Sequence, residues 1–525
     1  MRRRTLGWAS AIVLIIGALV ASIILNISQE NAKLSKVENS LIIDNGDQKI
    51  NWNRYQTTTI RLNTSIEITK SGVYHLTGEL ENGSVTIKTP SNGEVKLILD
   101  NVAIKNSSGP AIICASADDL VIELIGENYL ADGETYNQGY DADITGTIYS
   151  KADTIFQGDG SLVLDANYQD GIISKDDLKF ISGTYDISAN DDAIRGKDSV
   201  YVVNGDFTVL ANADGIKSTN DQDQGKGFVL IENGNFNFKT SAKGIKSTRS
   251  IFIYGGEFAL ETTDDTIHSD NFIGILGGNI NIASGDDGIH ANSELSITDG
   301  KINISKAYEG LEAQVVTING GDISLMTTDD GINAGGGADS SAQNRKGAGT
   351  FDADENCILS INGGNLYVNA AGDGVDSNGW LYFNGGNTII DGPTNSGNGA
   401  LDSGMGIIIN GGSVLALGSS GMAENLGNTS SINNISIFLS EATPKNTLIE
   451  IKNSTGDTLF SHTSAKSFNH IAAGSPNFNL GETYTLYLDG EETETFIITG
   501  TVTTVGNSRQ QMMPGNQNFK NKSEN

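Results

Sequence analysis

Residues 251–269 read Ile251-Phe252-Ile253-Tyr254-Gly255-Gly256-Glu257-Phe258-Ala259-Leu260-Glu261-Thr262-Thr263-Asp264-Asp265-Thr266-Ile267-His268-Ser269. Twenty-two positions on, the pattern returns as Ile273-Gly274-Ile275-Leu276-Gly277-Gly278-Asn279-Ile280-Asn281-Ile282-Ala283-Ser284-Gly285-Asp286-Asp287-Gly288-Ile289-His290-Ala291. An apolar run leads into Gly-Gly, then into an alternating run, then into an acidic doublet ahead of isoleucine. Period-two alternation with β-branched residues reads as strand with one face buried. Gly-Gly and Asp-Gly read as turns, since glycine accepts positive φ and aspartate bonds its own backbone.

Outward from this stretch, Asp-Gly-Ile and its variants begin at Asp170, Asp192, Asp214, Lys243, Asp265, Asp287, Glu309, Asp330 and Asp373. The intervals are 22, 22, 29, 22, 22, 22, 21 and 43 residues. One insertion accounts for each long interval, roughly residues 219–226 and 335–355. Gly-bearing turns keep the same beat from Asn204-Gly205 to Gly411-Gly412. A unit this short cannot bury its own apolar face, so successive units must stack. Stacking in register makes one internal ladder of Ile172, Ile194, Ile216, Ile245, Ile267, Ile289, Leu311, Ile332 and Val375. The expected fold is all-β, a parallel β-helix of 22-residue coils. A leucine-rich repeat would need its leucine pattern and an Asn ladder, which the reading does not find, and a propeller needs repeats about twice as long.

The β-helix is expected over residues 34–427, with residues 51–167 forming its irregular first coils. A small β-rich cap follows over 428–505, because a solenoid must close its exposed edge. Residues 506–525 read as a polar, disordered tail. Residues 1–33 read as a signal peptide or signal anchor: Arg2, Arg3 and Arg4 precede an apolar run from Leu6 to Leu25. About 20 apolar residues suffice to span a bilayer. With no crisp cleavage site, an uncleaved anchor is favoured, its basic end inside and the rest of the chain outside.

The chain has 525 residues with 64 Gly and 6 Pro, which suits many short strands and turns. Its formal charge of −31 repels nucleic acid, whose binding rests on cationic side chains. Acidic polysaccharides would be repelled too unless a cation sat between. Cys114 and Cys357 lie many coils apart in the repeat, out of disulfide reach, and have no zinc or redox spacing. A monomer is expected.

The stretch 146–218 contains Gly-Thr-Ile-Tyr-Ser-Lys-Ala-Asp, Asp-Gly-Ile-Ile-Ser-Lys-Asp-Asp-Leu, Ile-Arg-Gly-Lys-Asp-Ser and Asp-Gly-Ile-Lys-Ser. It resembles the bacterial extracellular family labelled carbohydrate-binding domain-containing, related to family 9 polysaccharide lyases. The likeness runs over roughly residues 57–503. It implies a right-handed parallel β-helix that binds calcium and plant cell-wall polymers.

Coils of a β-helix stack ~4.8 Å apart, so the repeat sets carboxylate above carboxylate. Two such charges repel by roughly 1 kcal/mol in water and several times more near a protein surface. Calcium, taking about six to eight oxygens, is the expected cofactor. The metal candidates are the doubled corners Asp191-Asp192, Asp264-Asp265, Asp286-Asp287 and Asp329-Asp330, with Asp373 and Asp376. In the resembling lyases an Asp-Asp-x-x-Asp pattern holds calcium. Here Arg195, His268, His290 and Asn333 stand at its last position, and Asp373 lacks the preceding partner. The competing reading makes each Asp a turn residue. His268 and His290, one coil apart, read as solvated rather than as ligands.

Lys217 and Lys246 occupy equivalent positions and are the candidate bases if the chain is a calcium-dependent pectate lyase. β-Elimination needs a lysine of lowered pKa beside a metal-neutralised uronate. Tyr308, Tyr367, Trp380 and Tyr382 are candidate sugar-stacking residues, although the strand face shared by Trp380 and Tyr382 reads as core. The expected function is extracellular, calcium-dependent, non-catalytic binding of pectin, polygalacturonate or cellulose. The alternatives are the lyase and a structural surface adhesin or spacer.

Overall fold

The computed structural model describes residues 50–506 except 91, 138 and 336–352. Apart from one 3-10 turn at Trp52–Arg54, the regular elements of the described residues are β-strands. They wind into a parallel solenoid of about 14 turns. The expected signal segment lies outside the described residues, and no helix among the latter is long and apolar enough to cross a membrane.

A typical coil has a short strand Ile245–Ser247, a middle strand Ser250–Ile253 and a long strand Glu257–Thr262. Each pairs in parallel with its equivalent one coil on, at Ile267–Ser269, Phe272–Ile275 and Asn279–Ala283. Alternation does what period two requires: along Glu257–Thr262, exposed and buried residues alternate strictly. The turn between middle and long strands needs glycine. Gly256 has φ +108°, and a Cβ there would lie 2.9 Å from the Gly234 carbonyl oxygen of the preceding coil. Both insertions enter at one corner, between the short strand and the middle strand, so neither disturbs the register on either side.

The ladder from Ile172 to Val375 is continuous in the pairing, and each of its nine residues is fully buried. Beside it the rings of Tyr185, Phe207, Phe236 and Phe258 stack at 4.9, 5.2 and 4.6 Å between centroids. The irregular stretch after residue 51 belongs to the same stack: Thr57–Leu62, Gly72–Leu80, Val95–Asn106 and Asp119–Ile125 pair successively in parallel. Cys114 and Cys357 are buried and free.

An Asn ladder, which the sequence reading denied, is present. The side chain of Asn362 donates to Asn319 (2.8 Å), Asn384 to Asn362 (2.8 Å) and Asn410 to Asn384 (2.9 Å). Each stands just before a Gly-Gly turn, and the insertion at 335–355 breaks the spacing that would have revealed it.

The parallel stack ends when Ser413–Gly418 pairs antiparallel with Phe468–Gly474, which pairs in turn with Asn434–Thr443. A four-stranded antiparallel sheet, Leu448–Asn453, Thr458–Thr463, Thr483–Leu488 and Glu491–Ile497, packs over a second core containing Leu415, Ile435, Ile471 and Tyr484. Covering the last strand removes the open edge that would template aggregation.

Truncation of one ladder residue opens a cavity between coils. Ile267→Ala should therefore cost about 2–5 kcal/mol of unfolding free energy, while Ala259→Ser on the outer face stays within about 0.5 kcal/mol. Equal urea midpoints for the two variants would contradict the assigned core.

Candidate functional site

The edge formed by the acidic turn and the short strand carries two side-chain columns. The turn column runs Asp170, Asp192, Asp214, Lys243, Asp265, Asp287, Glu309, Asp330, Asp373. The outward position of the short strand runs, in register, Arg195, Lys217, Lys246, His268, His290, Glu312, Asn333, Asp376, Asp402.

One oxygen of many turn carboxylates is committed to the backbone. Oδ1 of Asp192 accepts from the Asp214 N–H (3.1 Å), that of Asp265 from Asp287 (3.1 Å), and that of Asp287 from Glu309 (3.1 Å). Farther on, Oδ1 of Asp330 accepts from the Asp373 N–H at 2.6 Å. The column is thus a turn-stacking device, and only the second oxygen faces outward.

In the first half of the edge, the protein's own cations meet that second oxygen. Arg195 lies 2.9 Å from Asp170, and Lys217 lies 3.2 and 2.8 Å from Asp192 and Asp214. Lys243 replaces an acid in the turn column and reaches Asp264 (3.0 Å) and Asp265 (2.8 Å). From Asp170 to Asp287, basic side chains thus interleave with the column. A separate acidic corner, Asp177 and Asp198, likewise carries its own cation, Lys226.

His268 and His290 are buried, not solvated, at 3% and 1% exposure. His268 bridges Asp265 (2.9 Å) and Asp270 (3.1 Å). His290 bridges Asp287 (3.4 Å) and Glu312 (3.0 Å). Burial disfavours charge on His290, but the bonds to Asp287 and Glu312 outweigh it and hold its pKa well above the usual histidine range. Burial likewise works to raise Asp265, yet His268 and Lys243 hold it below the usual carboxylate range. Lys217 is partly buried, which opposes its charge, but Asp214 and Asp192 prevail and raise its pKa. That is the opposite of the lowered pKa an eliminating base requires.

Even beside these cations, burial raises Asp192 to about 6 and Asp287 to about 7; the second half of the edge goes further. Burial and the neighbours Glu309, Asp329, Asp373 and Asp376 push Asp330 up to about 9. Burial with Asp402 and Asp373 takes Asp376 to about 8 and Glu424 to about 7. Asp373 rises to about 6, chiefly through burial, with Asp402 and Asp329 adding to it. Among the described residues, no basic group stands among the leading causes of these shifts. The Oδ1 of Asn333, in register with Asp376 and Asp402, is buried without a hydrogen-bond partner. An all-oxygen set with an orphaned amide oxygen fits a hard divalent cation such as calcium.

Asp402 and Glu424 were missed in the sequence. Leu401-Asp402-Ser403 repeats Val375-Asp376-Ser377, a usable signal, but Gly399-Ala400 replaces the acidic turn before it. Of the aromatic candidates, Tyr308 follows the long strand at the acidic edge, and Tyr367 lies on the outer face of a long strand. Trp380 and Tyr382 project outward from a middle strand, stacked at 6.1 Å, while Leu381 and Phe383 fill the core. The expectation that their face is core is corrected, and the four aromatics do not converge.

A stacked-coil solenoid with a charged turn edge is thus the class of protein defined. The family model described as carbohydrate-binding domain-containing protein matches residues 63–331, and the chain belongs to that family. A curated relative from Acetivibrio thermocellus with the same description is 33% identical over 128 residues, 24% of this chain. The match spans 45% of that relative's length. A solved structure described as a polysaccharide lyase-like protein from C. thermocellum, gadolinium derivative, is 26% identical with a TM-score of 0.38. That match covers 46% of this chain and 96% of the other.

Two outcomes follow from the edge. Lys243→Asp restores the repeat's own acidic residue yet strips fully buried Asp265 of a partner, and should destabilise by about 3–5 kcal/mol; a neutral or stabilising result by chemical denaturation would refute the pairing. In chelator, the late carboxyls bind protons more tightly folded than unfolded. Stability should therefore fall as pH rises from about 4 towards the Asp330 value of about 9. Asp376→Asn should flatten that decline in melting temperature, and an undiminished slope would remove Asp376 from the cluster.

Proposed function

We propose that the protein is a non-catalytic, calcium-dependent polysaccharide-binding protein displayed outside the cell, taking pectin, polygalacturonate or cellulose. Family membership supports the carbohydrate partner. The observation that carries the calcium part is the clustering of Asp330, Asp373, Asp376, Asp402 and Glu424, with no basic partner among the described residues, along the edge that holds the orphaned Asn333 oxygen. Like charges that share a partly buried edge favour an ion that can take several oxygens at once. The non-catalytic reading rests on Lys217, which is clasped between two aspartates as a cation.

Calorimetry should detect calcium uptake by the intact chain, weakened at least tenfold in Asp376→Asn and in Asp402→Asn. Pull-down on insoluble cellulose and on polygalacturonate should lose the protein when chelator is added. Retention indifferent to chelator would defeat the calcium-dependent reading. Growth of ultraviolet absorbance from unsaturated uronates would replace binding with elimination.

A further inference from the structure

The face opposite in chemistry to the acidic edge is the outer surface of the long strands. There the middle outward residue of each strand stacks in register from Asp186 through Thr208, Asn237, Ala259 and Asn281 to Tyr367. Ahead of Tyr367 these central side chains are short, while the columns beside them carry longer ones such as Glu257 and Lys239. The result is a trough. Three adjoining hollows of about 560, 310 and 410 Å³ all include Asn281 in their lining. From Asp186 to Ile389 the register makes eight coil steps, or ~38 Å at ~4.8 Å each.

We propose that this trough binds a linear, neutral polysaccharide laid along the solenoid axis. The inference rests on the polysaccharide-binding reading and moves the sugar to a different face from the proposed metal. Three features select the occupant. The floor offers amides and hydroxyls from Thr208, Asn237, Asn281, Asn303 and Ser324, which suit a chain of hydroxylated rings repeating in one direction. The walls carry Asp206, Glu257 and Asp322 against Lys301, and Lys239 is matched by Glu261 at 2.8 Å, so the acids prevail. Such walls repel a polyuronate and accept hydroxyl donors.

Third, the trough has an aromatic end. The Tyr367 hydroxyl donates to Asp391 at 2.9 Å, and His462 of the antiparallel sheet lies 3.0 Å from the same carboxylate oxygen. The histidine ring stands 6.0 Å from the tyrosine ring. Tyr367 is therefore held in one orientation, as a stacking platform must be, by partners that include His462 of the strand Thr458–Thr463. The chain extends from Tyr367 toward the Asp186 end.

Calorimetric titration of the intact protein with cellohexaose, xylohexaose, mannohexaose and hexagalacturonate, in calcium and in chelator, tests the placement. At least one neutral hexaose should bind in calcium, more tightly than its trimer, and hexagalacturonate should bind less. Ala259→Trp and Thr208→Trp, which fill the floor, should each weaken that binding at least tenfold while leaving calcium uptake unchanged; Tyr367→Ala should weaken it as well. Unaltered sugar affinity in both tryptophan variants, or preference for hexagalacturonate, overturns the trough. Failure of the unaltered protein to retain any of these sugars or the insoluble polymers overturns the polysaccharide-binding reading itself.

Discussion

In-register parallel pairing between each strand and its equivalent one coil later is the constraint on which this molecule depends. It converts any residue that recurs in the repeat into a column with a spacing of ~4.8 Å. For apolar residues the conversion is wholly favourable: isoleucine on isoleucine gives a continuous buried ladder, and phenylalanine on phenylalanine gives stacked rings. For ionisable residues it is a liability, because the same pairing that aligns cores also aligns like charges.

The two oxygens of each turn aspartate explain why the liability is tolerated. Oδ1 caps the N–H of its counterpart in the next coil, so the carboxylate earns its place as a turn element. The cost falls on Oδ2, and the chain handles that cost differently along its length. Between Asp170 and Asp287 it inserts Arg195, Lys217, Lys243, His268 and His290. After His290 the short-strand column changes to Glu312, Asn333, Asp376 and Asp402. Burial raises Asp192 and Asp287 in the first half as well, but Asp330 and Asp376 rise furthest, where the interleaved cations have ended.

What the sequence made legible follows the same division. The ladder, the coil length and the position of both insertions were readable because they depend only on recurrence. Recurrence cannot say which way a polar residue points or what approaches it from an adjoining coil. His268 and His290 therefore looked solvated, although Asp270 and Glu312 enclose them. Lys243 stood in the repeat only as a variant of the motif, although it is the counter-ion of Asp265. Trp380 and Tyr382 looked like core because a four-residue strand offers two faces of equal apolarity; Leu381 and Phe383 occupy the inner one. The bond between Asp391 and His462 spans 71 residues and joins a coil to the antiparallel sheet, so no repeat could announce it.

The separation of the acidic edge from the trough changes what calcium would do for binding. A bridging ion must touch the polymer, yet the late carboxyls lie at a different corner of the coil from the trough floor. They do, however, belong to the turns before and after the strands that carry Tyr367: Asp330 and Asn333 lie one coil below Asp373 and Asp376, and the strand Asn365–Ala370 runs between them. An ion drawing those carboxyls together would hold the coil that positions Tyr367 against its neighbours. Calcium dependence of sugar binding would then need no acidic sugar, because the acidic turn of Asp373 and Asp376 follows directly on the strand that carries Tyr367.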